Sequence, residues 1–115
     1  MPAQGPLEWD FWLAEIAMLH SMDMATEGFF SHTSSDGTKM FDRVMPYWGG
    51  QGVGENIADS SLNYDDDTVM GMWLRSPDHC WLIMNENWTH AGVGWGGNRQ
   101  NGYRYHYFWT LDFGG

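Results

Sequence analysis

Gly54-Glu55-Asn56-Ile57-Ala58 lies near the middle of the chain, and the segments around it decide the fold. Tyr47 to Gly54 ahead of it is glycine-rich and reads as a loop. Behind it, Asp65-Asp66-Asp67-Thr68 precedes Val69, Met72 and Trp73. Acidic residues ahead of an apolar helical pattern favour a helix start, through capping and the helix dipole. Ser76-Pro77 reads as a second start, with Ser76 as N-cap and Pro77 at the first helical position. That helix is expected over Asp78 to Asn85, with His79, Leu82 and Ile83 on neighbouring faces.

Further out, Leu7 to Glu27 reads as a long helix. Trp9, Leu13, Ile16, Ala17, His20 and Met24 recur at three- and four-residue steps, and Gly28 is the stop. Phe29-Phe30-Ser31-His32 follows, then the polar turn cluster Thr33-Ser34-Ser35-Asp36-Gly37. Thr38 to Met45 is expected as a short helix with Phe41 and Val44 facing inward. In the tail, His90 to Trp95 and Tyr103 to Phe113 are rich in aromatic and β-branched residues. Gly96 to Gly102 separates them, so the two segments read as strands of a hairpin. The chain divides into an N-terminal extension, residues 1–6, and a single domain, residues 7–115.

Composition narrows the function classes. With 115 residues and 43% apolar content, the chain can bury one core. Its formal charge of −10 repels phosphate backbones and anionic lipid surfaces, which disfavours a nucleic-acid partner. No apolar run approaches the ~20 residues of a membrane helix, so an integral membrane protein is not expected. Cys80 is the only cysteine, so no intrachain disulfide is possible. Met1 to Gly5 has no basic start and no apolar stretch after it, unlike a signal peptide. Among the eight tryptophans, Trp9, Trp12, Trp73 and Trp109 are expected in the core. Trp48, Trp81, Trp88 and Trp95 are candidates for a binding face.

Several separated motifs together resemble the CAP superfamily, the cysteine-rich secretory, antigen-5 and PR-1 proteins, in its compact bacterial form. They are Phe29-Phe30-Ser31-His32 with Asp36-Gly37 and Arg43, then Gly54-Glu55-Asn56-Ile57-Ala58, then Trp73-Leu74-Arg75-Ser76-Pro77-Asp78-His79. Gly92-Val93-Gly94 and Phe108 to Gly114 match the closing strands. The resemblance implies an α+β fold, an α-β-α sandwich with a small, mainly antiparallel sheet between helical layers. It implies a further helix ahead of Leu7, for which this chain leaves little room. It also implies a secreted or envelope-associated protein acting on or binding an extracellular ligand, whether lipid, glycan or peptide.

The resemblance further implies a cleft where His32, Glu55 and His79 meet. Ser76 stands where many eukaryotic members carry a second Glu. Two imidazoles and a carboxylate could hold a divalent metal such as zinc, with a position left for water. Glu55 could instead serve as a general base without metal. Ser76 is a weak nucleophile candidate, since a residue ahead of Pro77 suits capping better. The same residues could also simply satisfy hydrogen bonds, with Glu55 on the amides of the glycine loop. A metal-assisted hydrolase and a non-catalytic module for lipid, sterol-like or carbohydrate ligands therefore both stay open.

Overall fold

Gly92, Gly94 and Gly96 occupy alternate positions of one strand, and the backbone of the long helix lies directly on them. A Cβ at Gly92 would stand 2.1 Å from the Ala14 nitrogen, and one at Gly94 2.4 Å from the Met18 nitrogen. Successive strand residues face opposite sides, so this alternation makes one side of the strand a smooth seat for a helix.

The computed structural model describes residues 7–100 and 104–115. In chain order these form β1 (Glu8–Trp9), α1 (Phe11–Glu27), α2 (Met40–Trp48), β2 (Val53–Ser60), α3 (Asp66–Leu74), α4 (Pro77–Ile83), β3 (His90–Gln100) and β4 (Arg104–Gly114). The sheet order is β1-β3-β4-β2. β1 runs parallel to β3, and the other pairings are antiparallel. The extension expected at residues 1–6 and the tip of the β3–β4 hairpin lie outside the described residues.

The long helix starts later than its periodicity suggests. Glu8 and Trp9 pair with His90 and Ala91 as a strand, and Asp10 then caps α1 by accepting from the Leu13 amide at 2.9 Å. At the other end Gly28 takes a left-handed φ of 69° and donates to the Met24 carbonyl, as a C-terminal glycine does. Leu13, Ile16, Ala17, His20 and Met24 are buried as their spacing predicts. Trp9 and Trp12 are exposed, contrary to expectation, because one is in the edge strand and the other faces away from the sheet.

The short helix α2 runs through Trp48 and contains Pro46, so the glycine-rich loop is shorter than expected. Val44 is buried in it, but Phe41 is exposed. α3 starts as predicted, with Asp65 Oδ1 accepting from the Thr68 amide at 2.7 Å. α4 ends at Ile83 rather than Asn85. Ser76 holds its N-cap position without a side-chain capping bond.

Strand alternation divides the core. Ile57 and Phe108 face α1 and pack with Met24 and Ala25. Ala58, Trp109, Leu111 and Phe113 face the other way and pack with Val69 and Trp73 of α3. Helices on both faces of one sheet make the α-β-α sandwich.

Candidate functional site

Glu55 and Asp112 are directly opposed across β2 and β4, so both carboxyl groups project from the same face of the sheet, toward α1 and α2. Arg43 of α2 reaches over them. Its Nη1 and Nη2 donate to Glu55 Oε1 and Oε2 at 3.0 and 2.8 Å, a two-pronged charge-assisted pair. Nη1 lies 3.9 Å from Asp112 Oδ2. The same guanidinium also donates to the His32 carbonyl at 2.8 Å and to Ser34 Oγ at 3.1 Å, which pins the loop after α1. His32 Nδ1 completes the cluster with a 3.1 Å bond to Glu55 Oε2.

The structure thus brings His32 and Glu55 together. It places the other two named residues in a pair of their own. His79 Nδ1 bonds Ser76 Oγ at 2.8 Å, so Ser76 serves this imidazole rather than the helix end. The His79 carbonyl accepts from Asn56 Nδ2 at 3.3 Å, and Asn56 faces the sheet side opposite to Glu55. Among the described residues, no three His, Cys, Asp or Glu side chains are grouped to hold a metal ion. Both Glu55 oxygens are engaged by a guanidinium, and a divalent cation there would sit against that positive charge. The donor set in this arrangement does not fit zinc. Glu55 also has no exposed side-chain surface. A general base needs contact with the proton it removes, and here Glu55 reaches solvent only by way of the half-exposed His32. Nor does Glu55 serve the glycine-loop amides: its partners are Arg43 and His32.

Arg43 and Asp112 stand in the quoted motifs, but no role attached to either from sequence. The available signal was the scarcity of cations, five Lys and Arg in the whole chain, with Lys39 and Arg43 the two between Gly37 and Gly54. Asp112 joins the site only through strand register.

The sequence profile of the Cysteine-rich secretory protein family matches residues 3–113. The chain belongs to the CAP family. The curated relatives of this CAP domain include the membrane protein YlbC of Bacillus subtilis, 40% identical over 76% of this chain and 25% of that protein. YkwD of the same organism is 33% identical over 78% of this chain and 35% of that protein. The chain thus spans about a quarter to a third of these relatives. Among solved structures, an extracellular protein containing a SCP domain from Bacillus anthracis superposes with a TM-score of 0.78 and 32% identity, over 96% of this chain and 34% of that one. An outer surface protein from Borrelia burgdorferi shares the fold, with a TM-score of 0.72 and 20% identity over 96% of this chain and 78% of that one.

Two carboxyl groups share one guanidinium in this CAP domain, and they divide the proton unequally. Burial pushes the Asp112 carboxyl well above the ordinary carboxylate range, and the nearby Glu55 charge adds to that. Asp112 is fully buried, and neither oxygen has a donor in reach among the described residues. As a neutral acid it becomes a donor itself, facing Glu55. Burial also opposes ionisation of Glu55, but the bonds from His32 and Arg43 outweigh it and hold its carboxyl below the usual range. Glu55 is thus held toward the ionised form against Arg43, and Asp112 toward the protonated form beside them. Nearby His20 donates from Nε2 to the Ser31 carbonyl at 2.8 Å. Its Nδ1 is buried without a partner among the described residues, and burial holds this imidazole below its ordinary value, hence neutral.

A raised carboxyl favours the folded state fully below the unfolded value of ~3.9, and that favour is lost as pH climbs toward the folded value. The wild type should therefore lose stability relative to Asp112→Asn as pH rises from about 4 toward 8. His20, whose lowered value acts in the opposite sense, is present in both proteins and drops out of the comparison. Urea melts of the two proteins across pH measure this. Parallel stability curves would show that Asp112 is ionised in the fold.

A groove of about 620 Å³ opens beside this cluster. His20 and Arg43 form part of its lining. Ile16, Leu19, Pro46 and Tyr47 contribute apolar surface, while Asp23, Asp36 and Asp42 supply carboxylates. Asp23 orders the facing loop by accepting from the Ser35 amide and hydroxyl at 2.9 and 2.6 Å. Bonds from the Thr38 side chain and amide hold the Asp36 carboxyl below its usual value. No described helix is long and apolar enough to cross a membrane.

Proposed function

We propose that this CAP domain is the ligand-binding part of an extracellular or envelope-associated bacterial protein, and that it holds a basic peptide segment in the groove between α1 and α2. The observation carrying this reading is the groove's chemistry. Three carboxylates stand beside a strip of apolar side chains, and the lining's guanidinium is already neutralised by Glu55. Such a surface favours alternating basic and apolar side chains, and the net charge of −10 steers cations toward it. The extracellular setting is supported by what the B. anthracis and B. burgdorferi neighbours are named for. Carriage of a lipid or sterol-like molecule is less well matched, because the groove is rimmed with carboxylates. Hydrolysis through Glu55 is less well matched because its side chain is buried.

Calorimetric titration with a peptide alternating Lys and Leu tests the reading, with a Glu-Leu peptide as the control. The Lys peptide should bind and the Glu peptide should not. Affinity should fall as salt rises from low ionic strength to about 0.15 M, where the screening length is ~8 Å. Asp23→Asn combined with Asp42→Asn should weaken binding by about ten-fold or more, a loss of ~1.4 kcal/mol. Equal binding of both peptides, or no effect of the double change, would remove the groove as the site.

A further inference from the structure

On the sheet face away from that groove, a second pocket of about 360 Å³ is lined by Asn63, Tyr64, Asp65, Trp95 and Trp109. We infer that this pocket binds an alkylammonium cation, held against the Tyr64 and Trp95 rings above the buried Trp109, with the Asp65 carboxylate at its rim. Trp95 and Trp109 are opposed across β3 and β4, so both indoles project from one face. Trp109 is 2% exposed and lies in the core beneath, while Trp95 is 51% exposed. The Tyr64 ring stacks on Trp109 with centroids 6.3 Å apart and 24° between planes. Trp95 leans on Tyr107 at 6.1 Å, which fixes it beside the pocket.

Aromatic faces attract cations through the ring quadrupole, most strongly for Trp, and a poorly hydrated alkylammonium gives up least water on entering. Asp65 supplies the complementary charge. The Thr68 hydroxyl and amide hold its carboxyl below the ordinary value, which keeps it ionised. Among the described residues, no Lys, Arg or His forms an ion pair with it. The site shares no lining residue with the α1–α2 groove, so either can fail alone.

The test is calorimetry with choline and with its neutral carbon isostere dimethylbutanol, which has the same shape without the charge. Choline should bind saturably, and the isostere roughly ten-fold or more weakly, as a desolvated cation–π contact of ~1–2 kcal/mol requires. Trp95→Ala should abolish binding, and the exposure of that ring lets the fold survive, which a melting curve verifies. Asp65→Asn keeps the helix cap, since Asn caps as well as Asp, but should lower choline affinity several-fold. Asp23→Asn should leave it unchanged. Equal affinity for choline and the isostere overturns the inference, as does undiminished binding by Trp95→Ala or no choline binding at all.

Discussion

Arg43→Met is expected to cost the fold about 3–5 kcal/mol, because it strands the buried Glu55 carboxylate without its counter-charge. Arg43 supplies both prongs on Glu55 and the nearest cation to Asp112. It also pins the His32 carbonyl and Ser34, so the loop after α1 should loosen with it. The loss should shrink on acidification. Without the guanidinium, the His32 bond is the main influence left against burial, so the folded value of Glu55 rises from where Arg43 held it. A carboxyl with a higher folded value gives up less stability as pH falls, so the variant recovers toward the wild type near pH 4. Urea denaturation at both pH values measures this. A loss at neutral pH below about 1 kcal/mol, in the range of an exposed ion pair, would show that the cluster is solvated.

Gly92→Ala should be at least as damaging. Its Cβ would meet the Ala14 nitrogen at 2.1 Å and the Ala14 Cα at 2.6 Å, both in the α1 backbone, which cannot rotate away. The helix must lift off the sheet, and overpacking of this kind costs about 3 kcal/mol or more at the high end of its range. Gly71→Ala is the counterpart in α3. There the nearest atom is the flexible Arg75 guanidinium at 3.3 Å. Replacing a helical glycine with alanine should stabilise by up to ~1 kcal/mol. Thermal melts of both variants decide between the two surroundings. A tolerated Gly92→Ala would mean that α1 does not sit on β3 as described.

Local signals in the sequence match the structure where their cause is local. The apolar stripe of α1, the Gly28 stop, the Asp65 cap and the Ser76-Pro77 boundary all depend on residues within a few positions of one another. The misreadings came from long-range pairing. Trp9 fits a helical period, yet the edge of β3 recruits Glu8 and Trp9 into a strand. Phe41 looks like a core residue, but α2 is held by Val44 and Arg43 and leaves that ring in solvent.

The candidate site divides along the same line. His32, Glu55, Ser76 and His79 were all visible as motif residues, and the ordered motif set alone identified the family and the α-β-α sandwich. Which of them meet was not visible, because sheet register decides which side chains share a face, and a shift of one residue would exchange them. The sequence by itself determined the family, the helix boundaries set by caps and glycines, and the excess of negative charge. Only the tertiary structure decided that Arg43 and Asp112, rather than His79, complete the Glu55 cluster. The reason is physical: a buried carboxylate must find its counter-charge or its proton in space, and strand pairing, not chain proximity, brought them there.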